Sequence, residues 1–374
     1  MMIYDIWLQC AIGYGNIRLK QALELFGNSK NIYKANENSL IESKIFTSSE
    51  VKKLKQTPIE DAKKIINDCR KRNIKIITIS DYNYPVCLRE IASPPIVLYY
   101  RGKFPDFDNT PTITIVGPRE ISEYGSKCAF ALGLRLAKAG MIIVSGGARG
   151  GDRKGHLGAL AVGGTTVAVL GCGLDYHYLP QNKKLRDDIE KTGCVMSEFP
   201  PMHPSGRSTF PIRNRIMAGL ALGVVVVEAP QISGGLITAR IANEEGRDVF
   251  VVPGRPDDKF CEGSNALLRE GAIPLLSAMD IFNEYLTRFP DKINIEAAFK
   301  PTNKESSQKN TEILKSDLSK TAKMLYNNLN TQIFSLDDVY IEGLSSGEIL
   351  AAFTELELSG YIKAVPGGRY TKNK

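Results

Sequence analysis

The sequence predicts an α/β fold: a Rossmann-like, doubly wound and mainly parallel sheet, with a small helical domain before it and a winged-helix domain after it. Three observations carry this prediction. Between residues 111 and 280, short β-branched runs alternate with helical stretches, the pattern of a sheet built from strand–helix units. The strands are continuously apolar rather than alternating, as in Val224–Val227, which places helices on both faces of a parallel sheet. A polar stretch, PDKINIEAAFKPTNKESSQKNTE (290–312), then separates this segment from a second ordered one.

Taken in order, residues 1–75 read as helical and Lys-rich, a helix–hairpin–helix or SAM-like domain. Gly13 and Gly15 precede an amphipathic helix. Their turn either offers N–H groups to a phosphate, as in a helix–hairpin–helix, or simply joins two helices of a small bundle. The sheet domain covers 76–288. Residues 74–101 contribute two short strands around Pro94–Pro95, expected to pack onto the main sheet. The central strands are TITIVG (112–117), MIIVSGG (141–147), TTVAVLG (165–171), CVMSEF (194–199), GVVVVEA (223–229) and DVFVVPG (248–254), with a weaker IPLL (273–276). Helices are expected at 122–139, 152–162, 182–191, 212–222, 236–245 and 265–269. Residues 289–312 read as a flexible linker. The winged-helix segment, 313–374, should hold helices at 318–329, 335–340 and 346–357, then a hairpin around Pro366-Gly367-Gly368.

Composition narrows the function. At 43% apolar and 24% charged, the 374-residue chain is an ordinary soluble globular protein of two or three domains. Its apolar runs fall far short of the ~18 residues of a membrane helix. The N-terminus lacks a basic leader followed by an apolar run, so a cytoplasmic protein is expected. Seven scattered cysteines with no CxxC pair indicate neither a disulfide framework nor a zinc site. Three histidines in no metal spacing add no metal. No cofactor motif is present: the first strand ends IVGPRE instead of GxGxxG. The net charge of +7 permits a nucleic-acid partner. Residues 111–290 hold 13 Arg and 7 Lys, against 5 and 12 in residues 1–110. Arginine suits bidentate phosphate recognition and base stacking, so an anionic ligand is expected in the middle segment.

The motifs at the strand ends agree. SGGARGGD (145–152) is a Gly-rich strand end leading into a helix, where backbone N–H groups can cradle a phosphate. Ser145, Gly146, Gly147, Arg149 and Gly150 belong to this loop, and Arg119 to the preceding one. VLGCGLD brings Gly171 to the same edge. Ligands of doubly wound sheets bind beyond the strand C-termini. Asp152 and Asp175 read as partners for arginines, Cys172 as a packed residue, and Glu228 as a partner for an arginine or a ribose hydroxyl. In FPPMHPSGRSTFPIRNRIMAGLA (199–221), Arg207, Arg213 and Arg215 surround Phe210 and Asn214. Cations interleaved with an aromatic in a Pro-bounded loop suit a single-strand stacking platform. Ser233 and Gly234 open another helix with a free N-terminus. His156 reads as structural. No catalytic constellation can be assembled.

Together GPREISEYG, SGGARGGD, VAVLGCGLDYHYLP, SEFPP, FPIRNRIMAGL, SGGLITARIA and EEGRDVFVVPG resemble the DprA/Smf family of DNA-processing proteins, in order, across residues 80–276. The resemblance implies a Rossmann-like domain that binds single-stranded DNA without hydrolysing it. It also implies protection of incoming strands, help in loading RecA during natural transformation, and homodimerisation. It places Arg119, the 145–151 loop with Arg149, and Arg207, Phe210, Arg213, Asn214 and Arg215 in the DNA pocket. Pro118, where a small or polar residue is common, removes one N–H from that pocket. The rival reading is a phosphoribohydrolase-like enzyme acting on nucleotides, but its PGGxGT motif is missing. A duplex-reading winged helix is disfavoured because residues 311–374 carry 7 basic and 8 acidic residues.

Overall fold

The computed structural model describes residues 1–300, 319–329, 334, 335, 339, 341, 344–358, 361–365 and 369–372. The chain divides into two compact units, Met1–Lys300 and Pro301–Lys374.

The first unit is built on a nine-stranded sheet. Its strands are β1 (Lys75–Thr78), β2 (Val97–Gly102), β3 (Thr112–Val116), β4 (Ile142–Ser145), β5 (Thr166–Leu170), β6 (Cys194–Ser197), β7 (Gly223–Val226), β8 (Asp248–Val251) and β9 (Ile273–Pro274). They lie side by side in the order β1-β2-β6-β5-β4-β3-β7-β8-β9. From β6 to β9 every pairing is parallel, while β1 and β2 join antiparallel. The strip at 74–101 therefore extends the sheet, as expected. The chain winds outward from β3 in one direction through β4, β5 and β6. It then returns to pair β7 with β3, at Thr114 opposite Val224. The strand order thus reverses at β3, and in such sheets a crevice opens beyond the strand ends at that point.

Helices cover both faces. On one face α11 (Thr209–Leu220) and α12 (Gly234–Glu244) bury Ile216, Met217, Leu236 and Ala239 against Val116, Val144, Val169 and Val226. On the other, α8 (Glu123–Lys138) and α9 (Gly151–Ala161) bury Ala129, Leu136 and Ala159 against Ile113, Ile115, Ile143 and Val225. Alternate residues of each strand face opposite layers, so a parallel strand is mostly apolar and its few polar side chains, such as Ser145 and Thr166, are hydrogen-bonded.

The N-terminal helices have no separate core. Ile6, Trp7, Leu8, Leu19 and Ile32 share one cluster with Val97, Tyr99, Ala168, Leu170 and Val195 of the sheet. The helices before residue 75 therefore pack as a layer of the same compact unit, covering the sheet where β2, β6 and β5 would otherwise lie bare. Of the two readings of the glycine turn, the structure supports a turn that serves the fold: it lies by the buried Glu198 carboxylate, which the Gly15 N–H helps to stabilise. The expected linker begins too early. Ile293 and Ala298 are buried, and residues 295–299 form a short helix within the first unit; residues 301–312 lie outside the described residues.

In the second unit, helices Lys320–Asn328 and Ser346–Leu358 pack with the sheet of β10 (Phe334–Ser335), β11 (Ile362–Val365) and β12 (Arg369–Lys372). β12 pairs antiparallel with both neighbours. Of the helix expected at 335–340, Ser335 belongs instead to strand β10 and 336–338 and 340 lie outside the described residues.

Candidate nucleic-acid interface

A cleft of about 670 Å³ opens at the C-terminal ends of β3, β4, β5, β7 and β8. Its base is made where two glycine-rich loops touch. Gly150 takes φ +75°, and a Cβ there would lie 2.0 Å from the Pro118 carbonyl oxygen. That carbonyl accepts the Gly151 N–H at 3.1 Å. Pro118 withholds a donor, as expected, and its oxygen fastens the two loops together. Asn182 donates to the Gly147 carbonyl at 3.0 Å, tying the β5 loop to the same base.

Arg213 enters from the first turns of α11. It is 6% exposed and donates to the Val169 carbonyl at 2.6 Å and to Asn214 at 3.0 Å. Its guanidinium passes over Gly146, where an added Cβ would lie 2.0 Å from Nη1. Burial lowers its pKa from the ordinary arginine value. Asp152 lies beside it, and burial pushes that carboxyl upward although the Arg213 charge opposes the shift. One buried cation therefore faces the cleft with its geometry fixed by the sheet.

Phe210 stands at the mouth of the cleft, half-buried. Gly171 forms a flat seat beneath it: a Cβ at Gly171 would lie 2.9 Å from the ring. The Arg119 guanidinium lies 5.5 Å from the ring centroid, and Tyr178 packs 5.7 Å away. Phe210 belongs to the first turn of α11 rather than to the preceding loop. Four prolines before residue 212 mislead here, because proline is tolerated in a helix's first turn. Arg119 and Arg149 project exposed guanidinium groups into the cleft, and neither takes part in an ion pair among the described residues. Ser233 accepts the Gly235 N–H at 3.2 Å and starts α12, whose N-terminus lines the cleft through Ser233 and Gly234. Such a terminus favours an anion.

Of the residues named from sequence, Arg119, Arg149, Phe210, Arg213, Asn214, Ser233 and Gly234 line the cleft. Ser145, Gly146, Gly147, Gly150 and Gly171 lie beneath or behind it; Ser145, for example, donates to Ile115 at 2.6 Å. Two are corrected. Arg207 is exposed and lies outside the cleft lining. Arg215 is 8% exposed and places Nη2 2.6 Å from both carboxylate oxygens of Glu198, beneath the Gly15 turn. Two residues apart on a helix point to different sides, so Arg213 and Arg215 cannot share one pocket.

Glu228 meets neither arginine nor a free surface. Its carboxylate accepts the Ser122 hydroxyl, the Ser122 N–H at 3.0 Å and the Gly125 N–H at 3.1 Å, capping α8. Asp175 does pair with arginines, Arg101 at 2.7 Å and Arg72 at 3.3 Å, away from the cleft. Cys172 is buried, and burial raises its thiol to about 11. His156 is buried and structural. Tyr178, Ile232, Lys259 and Phe260 also line the cleft and were missed. No local motif marks them: Tyr178 is half-buried, and the exposure of Ile232, Lys259 and Phe260 is a property of the folded chain.

Comparison with known proteins gives the family. The family model described as DNA recombination-mediator protein A matches residues 75–286, and that of the DprA winged helix domain matches residues 311–368. Protein Smf of Synechocystis is 33% identical over 96% of this chain and 96% of its own. The chain belongs to the DprA/Smf family. DNA processing protein DprA of Streptococcus pneumoniae is 41% identical over 56% of this chain and 73% of its own. A DprA structure from that species matches 76% of this chain and 98% of its own, at TM-score 0.66 and 34% identity. A DprA of Helicobacter pylori, whose structure describes a single-stranded DNA binding mode, matches 57% of this chain and 97% of its own, at TM-score 0.52 and 29% identity. Among the described residues no helix is long and apolar enough to cross a membrane.

Proposed function

We propose that this chain binds single-stranded DNA in the cleft at the β3 switch point, without cleaving it. The observation that carries the reading is Phe210. It is a half-buried ring on a glycine seat with the Arg119 guanidinium over it, in a cleft that Arg149 and the N-terminus of α12 also line. Cations outside any ion pair suit phosphates, and an aromatic ring accepts any base. The likeness to the Helicobacter pylori DprA supports the same ligand. Arg119, Arg149 and Arg213 would hold phosphates, the α12 N-terminus would add N–H donors, and Phe210 would stack a base. The chain would act in the cytoplasm as a recombination mediator, protecting incoming strands and helping to load RecA, as a homodimer. These finer roles rest on the family resemblance.

The test compares a short oligothymidine with a duplex of equal length at two salt concentrations. Preference for the single strand, with an affinity that falls as salt rises, is the expected result. Equal or better binding of the duplex would overturn the reading. So would release of free base from a nucleoside monophosphate, which would favour the enzymatic alternative. Co-sedimentation of RecA with the DNA-bound protein, and sedimentation equilibrium of the free protein, test the partner and the dimer.

A further inference from the structure

The cleft extends well past Phe210. Phe210 rests over the end of β5, on Gly171. At its other side Lys259 and Phe260 come from the loop between β8 and α13 (Glu262–Arg269). Strands β5, β4, β3, β7 and β8 are consecutive neighbours. At about 4.8 Å per spacing, roughly 19 Å separates the end of β5, beneath the Phe210 seat, from the end of β8, which leads to Phe260. A base sandwiched between two rings would need them only about 7 Å apart, twice the ~3.4 Å rise of stacked bases. Seats at strand ends so far apart suit two different bases.

The loop bearing Lys259 and Phe260 is tightly held. Asn265 of α13 clasps Gly254, donating to its carbonyl and accepting its N–H, each at 3.1 Å. The Asp258 side chain accepts the Phe260 N–H at 2.9 Å, and the Asp258 carbonyl accepts the Cys261 N–H at 2.9 Å. The Phe260 ring is 40% exposed on this turn. Lys259 is exposed and forms no ion pair among the described residues. Between the two aromatic sites lie Ile232, 96% exposed, and the N-terminus of α12. The β8 loop thus presents an exposed ring beside a cation outside any ion pair among the described residues, on a fixed turn.

We propose that Phe260 and Lys259 form a second nucleotide subsite. Phe260 stacks a base further along the strand than the one on Phe210, and Lys259 meets a phosphate beside it. The subsite rests on the single-strand reading above and makes the cleft a site for several successive nucleotides. Affinity should then rise with length until both rings are occupied.

The test measures affinity for thymidine 5′-monophosphate and for oligothymidines of two to six nucleotides, in the full chain. In Phe260→Ala the gain with length should shrink, with the longest oligomer weakened between about fivefold and about a hundredfold. Binding of the shortest ligands should be unchanged. Phe260→Tyr should restore the gain, and Lys259→Gln should reduce the magnitude of the salt slope by about 0.7. Phe210→Ala, by contrast, should weaken short and long ligands alike. The melting temperature of each variant shows whether it folds, and the Tyr and Gln variants keep the test decisive if the Ala variant does not. The proposal is overturned if Phe260→Ala and Lys259→Gln both bind the longest oligomer like the parent. It is equally overturned if Phe260→Ala weakens all lengths equally, since the ring would then belong to the Phe210 site. If the parent binds no oligothymidine at all, the single-strand reading itself has failed.

Discussion

Gly146→Ala is the sharpest probe of how the cleft is built. The added Cβ would lie 2.0 Å from Arg213 Nη1 and 2.6 Å from its Cζ. Real Cβ atoms do not approach so closely, so the guanidinium must leave. Gly146 has no positive φ, so space alone decides the outcome. Arg213 would lose its 2.6 Å bond to the Val169 carbonyl. A buried hydrogen bond from a charged group contributes about 1.5–3 kcal/mol, and the orphaned carbonyl adds to the loss. Unfolding by denaturant should show a destabilisation of at least that range. Single-strand binding followed at several salt concentrations should lose one phosphate contact, seen as a salt slope smaller by about 0.7. Gly234→Ala is the control for stability, because a Cβ there meets nothing within 4 Å. If Gly146→Ala keeps both the stability and the salt slope of the parent, Arg213 is not held as described and does not contact phosphate.

Other substitutions separate binding from folding. Arg149→Ala should reduce the salt slope by about 0.7 for every sequence alike, with no change in melting temperature, because its head is exposed; an unchanged slope removes it from the phosphate site. Phe210→Ala should weaken single-strand binding by about 1–3 kcal/mol, yet cost less folding stability than the roughly 3–5 kcal/mol of a fully buried phenylalanine; early melting with normal binding would make the ring a core residue. Arg215→Met should do the reverse. Stranding the buried Glu198 carboxylate should cost about 3–5 kcal/mol of stability and leave the salt slope intact, and a changed slope would return Arg215 to the DNA site. His156 predicts a pH effect. Thr166 uses its hydroxyl proton on Ile143, so His156 Nδ1 donates to Thr166 at 2.7 Å and Nε2 is buried without a partner among the described residues. Burial, helped by the Arg213 charge, lowers the His156 pKa to about 3. The unfolded chain takes up this proton below about pH 6.5 while the native state does not. This residue's contribution is therefore lost as pH falls from 6.5 toward 3, at about 1.4 kcal/mol per unit. Denaturation of His156→Gln between pH 7 and 5 should show a correspondingly flatter dependence.

Much of this protein was legible from residue patterns alone. The continuous apolar strands announced a parallel sheet, because each strand is buried on both sides and neither face tolerates unpaired polar side chains. The strand-end glycines and arginines located the cleft, because the ends of a parallel sheet are where loops are free to carry function. What the sequence could not show was which way each side chain turns and what covers each face. Arg213 and Arg215 look equivalent in RNR, yet helical rotation sends one to the cleft and the other to Glu198. The N-terminal helices read as a domain of their own because periodicity records only that a face is apolar. That this face is completed by Val97, Ala168 and Val195 depends on contacts between residues far apart in the chain. Lys259 and Phe260 were passed over for the same reason. Nothing local marks a short loop as part of a site, and only the strand order, with β8 two places from β3, brings it to the cleft.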